Sequence, residues 1–336
     1  MQFGQLKRRE FVTVLGGGVV AWPLAAQAQQ LDRMRRVGVL MGFDENDPEA
    51  KGWLSGFVRG LGQLGWTDGR NMRMDVRWAA GDLVRMRTLA KELVDLQSEV
   101  ILAQTTPVTS ALHRETRTIP IVFVMVADPV SSGFVASAPG PGGNLTGFGL
   151  WEPSMAGKWL ELLTDIAPGV RRIAMVFNPD RAPYFRQYLL PSLEATARSL
   201  KVEPIVAPVH SDAEIETVIT SLGREPGGGL VIQADPFTEL RRALIISLAA
   251  RNNVPAVYGN SGWAREGGLL SFGPAMADEF HRAASYVDRI LRGAKPPDLP
   301  VQWPVKFEIT LNRRTAKALG LDVPPSIELR ANEVIE

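Results

Sequence analysis

Short apolar runs and helix-length segments alternate along this chain in two successive series, with a cluster of glycine and proline between them. Connections of that length imply parallel strands, because a parallel pair needs a crossover long enough to hold a helix. In the first series strands are expected at 37–41, 72–78, 100–103 and 119–126, and helices at 48–64, 82–96 and 109–115. Trp53, Phe57, Leu61 and Leu64 recur at spacings of three and four, which gives the first helix one apolar face, and Asp47 before Pro48 marks its start. Ala138-Pro139-Gly140-Pro141-Gly142-Gly143 breaks the pattern, and a further strand follows at 144–150. The second series begins at Pro153, with helices at 153–166, 184–200, 212–222 and 237–251 and strands at 172–177, 202–209, 230–233, 256–258 and 268–272. A helix at 278–291, a break at Lys295-Pro296-Pro297, a strand at 306–311 and a helix at 313–319 close the chain. The fold class expected is α/β, with two doubly wound parallel-sheet lobes. The tail implies more than one crossing, so lobe I is 31–147 plus 274–300 and lobe II is 148–273 plus 301–336. Hinges are expected near Gly147, Gly273 and Pro300.

Composition removes several functions. A chain of 336 residues with 45% hydrophobic and 22% charged residues is enough for two buried cores. Its 37 basic and 36 acidic residues leave a net charge of +1, which gives no field to attract nucleic acid or an anionic membrane. Without cysteine there are no disulfides and no thiolate metal sites, and His113, His210 and His281 are too scattered for a metal site. No GxGxxG, Walker A or GxSxG sequence follows any strand, so no cofactor and no enzymatic activity are expected. At the start, Lys7-Arg8-Arg9, the apolar stretch 11–24 and Ala26-Gln27-Ala28 have the layout of a cleaved export signal over 1–28. Arg8-Arg9 ahead of Phe11 suggests the twin-arginine route, and a periplasmic location follows.

In open α/β sheets, ligands sit beyond the carboxyl ends of the strands. The residues there are Phe43 and Asp44 after the first strand, Thr105-Thr106-Pro107 after the third, Asp128-Pro129 after the fourth, and Thr146 in the crossover strand. The second lobe offers Asn178-Pro179, Asp235-Pro236 and Tyr258. Asp or Asn before Pro is first a helix cap. Helix N-termini also aim free N–H groups into a cleft, so Thr105 and Thr106 are candidates for a ligand carboxylate. Asp235 is a candidate for an ammonium or hydroxyl, and Phe43, Tyr258 and Trp263 for apolar walls. Asp44, Glu45 and Asp47 are read as a solvated loop with a helix cap.

Several segments resemble the ABC-transporter substrate-binding family whose better-known members take tryptophan, tyrosine or phenylalanine. They include Val37-Gly38-Val39-Leu40, Leu64-Gly65-Trp66-Thr67-Asp68-Gly69-Arg70-Asn71 and Ile119-Pro120-Ile121-Val122-Phe123-Val124. Ala127-Asp128-Pro129-Val130, Pro141-Gly142-Gly143-Asn144-Leu145-Thr146-Gly147-Phe148 and Gly268-Leu269-Leu270-Ser271-Phe272-Gly273 belong with them, as does the ending Ala331-Asn332-Glu333-Val334-Ile335-Glu336. The resemblance implies the type I periplasmic-binding-protein fold, two Rossmann-like lobes joined by three crossovers. It implies that the loop after the first strand, Thr105-Thr106-Pro107, Asp128, Thr146, Asn178 and Asp235 line a cleft for an aromatic amino acid or other small carboxylate. The implied partner is an ABC permease in the inner membrane, with the binding protein a monomer. A sensor that passes a signal to a membrane partner fits the same cleft. An exported α/β enzyme needs a nucleotide-binding or acid–base constellation that the sequence does not offer.

Overall fold

The computed structural model describes residues 34–336, so the export-signal reading of 1–28 lies outside the described residues. The first series forms one parallel sheet from β1 (Arg35–Met41), β2 (Met72–Trp78), β3 (Val100–Gln104), β4 (Ile121–Val126) and β5 (Leu145–Gly149), in the order β2-β1-β3-β4-β5. Val37, Val39 and Met41 face one helix layer and Leu40 the other, so both faces of the sheet are apolar. β4 starts two residues later than its apolar run suggests, since Pro120 has no N–H for the ladder. α1 (Pro48–Gln63) is capped by Asp47, which accepts the N–H groups of Glu49 and Ala50 at 2.9 Å. α2 (Leu83–Asp95) is capped by Asp82. α3 (Thr106–Glu115) begins three residues before the expected start, because Thr105 turns the chain into it at φ +78°.

The second lobe follows as α4 (Met155–Ile166), β6 (Arg172–Phe177), α5 (Phe185–Tyr188), α6 (Leu190–Leu200), β7 (Glu203–Pro208), α7 (Asp212–Gly223) and β8 (Gly228–Ile232). Then come α8 (Pro236–Leu240), α9 (Arg242–Arg251), β9 (Ala256–Tyr258), α10 (Gly262–Arg265) and β10 (Leu270–Pro274). The single helix expected at 184–200 is two helices: Pro191 has no N–H to donate and its ring crowds the carbonyl four residues back. The helix expected at 237–251 breaks at Arg241, whose guanidinium lies 3.8 Å over the Phe237 ring and pairs with Asp212. α11 (Met276–Leu291) returns to the first lobe, and β11 (Phe307–Asn312), α12 (Arg313–Ala318), α13 (Pro325–Glu328) and β12 (Glu333–Ile335) return to the second. Its sheet runs β12-β11-β10-β9-β8-β6-β7, parallel except where β11 meets β10.

α11 lies against α1, with Trp53, Phe57 and Leu61 packed among Phe280, Ala284 and Val287. Glycine lets the two helices approach: a Cβ at Gly56 would sit 2.7 Å from the Ala277 carbonyl oxygen, and one at Gly60 2.7 Å from the Ala284 Cβ. The chain changes lobe after Gly149, after Pro274 and after Leu299, and the three crossings run side by side. Gly149 N–H donates to the Gln302 carbonyl at 2.8 Å and Gln302 N–H to that of Gly147 at 3.0 Å, while Ala275 N–H donates to that of Lys306 at 3.0 Å. Of the three expected hinge positions, Gly273 and Pro300 fall beside crossings and Gly147 lies inside β5.

Candidate functional site

The carboxyl ends of the two central sheets face each other. Phe43, Thr105, Thr106, Met125 and Leu150 of the first lobe and Arg181, Tyr184, Ala234 and Asp235 of the second surround one small cavity. It leaves about 10 Å³ for the centre of a water molecule, the room of a single water. The lobes therefore meet at this point, beside a wider pocket of about 360 Å³ between Thr106 and Phe134 of the first lobe and Asp180 and Pro183 of the second.

The first-lobe wall is made by unusual backbone. Thr105 has φ +78° and ψ 157°, a region that is essentially glycine-only. Its N–H donates to the Val124 carbonyl, and its own carbonyl accepts the N–H and hydroxyl of Thr109. Its hydroxyl makes no cap bond, is buried, and has no partner. Met125 has φ +63° at the bulge where β4 slips against β5, which turns an apolar strand residue toward the cavity. Gln104 steadies the loops by accepting the Gly42 N–H at 2.8 Å.

The second-lobe wall is polar. Asp235 caps α8 in a capping box, its Oδ1 accepting from Phe237 and Thr238 N–H and its Oδ2 from Asn178 N–H at 3.1 Å. Burial pushes its carboxyl up to about 6 despite those bonds. Asn178 folds its side chain back on the Arg181 N–H, which fixes Arg181 at the cavity edge, and its amide donates to the Val209 carbonyl. The Arg181 Nε is buried without a partner. Gln233 donates to the Tyr184 hydroxyl at 2.8 Å while its own Oε1 is unpartnered. Burial, then the nearby Asp235 charge, raises the Tyr184 hydroxyl, so it stays a donor.

The chain matches the family model described as ABC transporter substrate binding protein over residues 45–335. It belongs to that family. A tyrosine-binding protein of Clostridioides difficile (strain R20291) is 26% identical over 272 residues, 79% of this chain and 76% of the relative. Among solved structures, a conserved domain protein from Vibrio cholerae O1 biovar El Tor superposes with a TM-score of 0.83 at 25% identity, covering 90% of this chain and all of the other. The ABC domain in complex with L-Trp from Streptococcus pneumonia gives 0.82 at 23%, with the same coverage. The ligand-free, open form of a Clostridium difficile substrate-binding protein with adhesive properties gives 0.68 at 24%, covering 90% and 99%. All share the two-lobed type I fold.

In this substrate-binding protein the sequence candidates separate into groups. Phe43, Thr105, Thr106 and Asp235 line the cavity. Asn178 stands one hydrogen bond behind, through Asp235 and Arg181. Asp44 accepts the Asn46 N–H in the loop before α1, and Asp128 accepts the Ser131 N–H beyond β4. Thr146 ties β5 to the third crossing through the Leu299 carbonyl at 2.5 Å. Tyr258 stacks on Trp263 at 4.9 Å inside the core of lobe II. Met125, Leu150, Arg181 and Tyr184 were not among the candidates. Arg181 was signalled only by the Asn178-Pro179 turn, and Met125 by nothing in an unbroken apolar run.

A second set of contacts joins the lobes at the rim. Arg242, at the start of α9, pairs with Asp47 of lobe I at 3.1 Å and with Glu239 and Glu266 at 2.8 Å. Arg265 of α10 pairs with Glu49 of α1 at 3.2 Å and with Glu333 of β12 at 2.7 Å. Burial, and then the Glu239 charge, pushes the Glu49 carboxyl up to about 7. Among the described residues no group of three or more His, Cys, Asp or Glu is arranged to hold a metal, and no helix is long and apolar enough to cross a membrane.

Proposed function

We propose that this protein captures a small ligand, an aromatic amino acid or another small carboxylate, in the cleft between its lobes and delivers it to the permease of an ABC importer. The observation that carries the reading is that two residues lining one inter-lobe cavity, Thr105 from one side and Arg181 from the other, each hold a buried polar atom without a partner. An orphaned buried donor or acceptor costs roughly 1–3 kcal/mol, so a ligand that satisfies both is favoured. The tyrosine named for one relative and the L-Trp bound to another support an aromatic ligand.

The lobes, 31–147 plus 274–300 and 148–273 plus 301–336, turn about the three adjacent crossings. The ligand binds the closed state better than the open one, and the closed shape is what the permease recognises. The ligand leaves unchanged, and ATP is hydrolysed by another subunit. The protein works as a monomer in the periplasm, exported by residues 1–28. The test is a thermal-shift panel of aromatic amino acids, aromatic carboxylates, branched amino acids and sugars on the purified protein, with solution scattering on any hit. A ligand at a thousand times its Kd stabilises by about 4 kcal/mol and contracts the scattering profile. Turnover of a hit, or a profile that the hit leaves unchanged, defeats the importer-receptor reading.

A further inference from the structure

We infer that Arg181 is the anchor of the cleft and that the ligand it selects is an organic carboxylate without an ammonium group. This rests on the cleft being the ligand site, and it narrows the ligand class.

The argument is a count of donors against acceptors. Arg181 carries a guanidinium, with five N–H donors and no acceptor. Its Cα is fixed by the Asn178 side chain, its Nε is buried with no partner, and no carboxylate of the described residues lies within 4 Å of it. Asp82 and Asp235 are close enough for their charges and that of Arg181 to act on one another. Asp82 does not line the cavity, and Asp235 is largely spent on backbone. Asp82 caps α2 through two N–H bonds, and Asp235 accepts three. A carboxylate has about four lone-pair sites, so Asp235 keeps one. An ammonium brings three donors, and the other unpartnered side-chain acceptors are neutral: the Thr105 hydroxyl of the lining and the Gln233 amide oxygen behind it. The donor side is richer. It comprises the Arg181 guanidinium, the Tyr184 hydroxyl already accepting from Gln233, and the N–H groups of Thr106 and Val108 in the first turn of α3, where Pro107 has none and that of Thr109 is bonded to the Thr105 carbonyl. A carboxylate satisfies these, and guanidinium–carboxylate bonds are among the stronger hydrogen bonds available. A zwitterion satisfies them too, but leaves an ammonium facing one lone pair.

The test uses matched pairs that differ only in the ammonium: 3-phenylpropanoate against phenylalanine, 3-(4-hydroxyphenyl)propanoate against tyrosine, and indole-3-propanoate against tryptophan. Titration calorimetry at pH 7.5 on the full chain gives the affinities, with Arg181→Gln and Arg181→Lys as variants and melting curves to verify folding. The deaminated acid is expected to bind at least 10-fold more tightly than its amino acid in one or more pairs. Arg181→Gln is expected to lose roughly 10- to 100-fold, and Arg181→Lys to recover part of that. An amino acid binding as tightly as its acid, or better, overturns the inference and leaves the receptor reading intact. So does an acid whose affinity Arg181→Gln leaves within threefold. Silence from every pair overturns the inference and removes aromatic ligands from the receptor reading as well.

Discussion

At the rim of the cleft, Arg242 meets Asp47, Glu239 and Glu266 and Arg265 meets Glu49 and Glu333, whereas in the cavity behind, Thr105 and Arg181 each hold a buried polar atom with no partner. Both regions join the same two lobes. Rim ion pairs are made within the protein, although one Glu49 oxygen is buried without a partner, so they act on closure whatever the cleft holds. Cavity groups lack partners, so they favour closure only around a ligand that supplies them. Holding shut and recognising are thus assigned to different residues, and mutation can separate them.

The largest effect is expected at the rim. Arg242→Ala leaves Glu239, whose side chain is 3% exposed, and Asp47 without the cation they share. Removing one partner of a buried ion pair costs roughly 3–5 kcal/mol. The denaturation midpoint should fall by a corresponding amount and the radius of gyration should grow; unchanged scattering would show that the rim does not hold the lobes.

The next is a pH dependence of stability. Glu49 has its carboxyl raised from 4.5 to about 7 in this structure. The closed state therefore binds the proton more tightly than the unfolded or open chain. Holding Glu49 ionised costs stability progressively as pH rises from 4.5 to 7, and the full cost, about 3 kcal/mol, applies above 7. Melting midpoints should rise as pH falls from 8 toward 5, and Glu49→Gln should flatten the rise. Asp235, raised to about 6, leaves a smaller residue of the same sign. Equal slopes in the wild type and the variant would remove Glu49 as the cause.

Thr105→Gly sharpens the contrast from the cavity side. It relieves a conformation that costs a non-glycine residue about 1–3 kcal/mol and deletes the unpartnered hydroxyl. Stability should rise by about 1 kcal/mol while ligand affinity falls; both moving the same way contradicts the assignment. Gly262→Ala should do least. Its methyl would lie 2.2 Å from the Glu49 Cδ, but a carboxylate at the end of a flexible side chain can swing aside. A loss under about 1 kcal/mol and a shallower pH slope are expected from the same melting curves.

Where apolar periodicity and caps act locally, the sequence and the structure agree: the strands at 72–78 and 256–258 have the same bounds in both, and Asp47 and Asp82 begin their helices. The breaks at Leu189 and Arg241 were harder to read, because one depends on a proline inside a helical pattern and the other on a guanidinium reaching Asp212. The stretch 259–266, for which the sequence predicts no element, holds α10, a four-residue helix whose Arg265 serves the rim. The strand-end rule reached Phe43, Thr105, Thr106 and Asp235 because their place follows from topology alone. It missed Arg181 and Met125, whose orientation is set by a side-chain turn and a bulge.

The crossings also dictate an order of assembly. Strands β1 to β5 are complete by Gly149, yet the face carrying Val37, Val39, Val100 and Val122 is covered in part by Phe280 and Val287 of α11, more than 120 residues further on. The five parallel strands of the second lobe lie between Arg172 and Pro274, but β11 and β12, with buried Ile309 and Leu311, join that sheet only after α11 has been made. Domains usually fold in the order in which they leave the ribosome. Here neither half is sealed when its own strand series ends: the first waits for α11, and the second for β11 and β12, the last strands to be made.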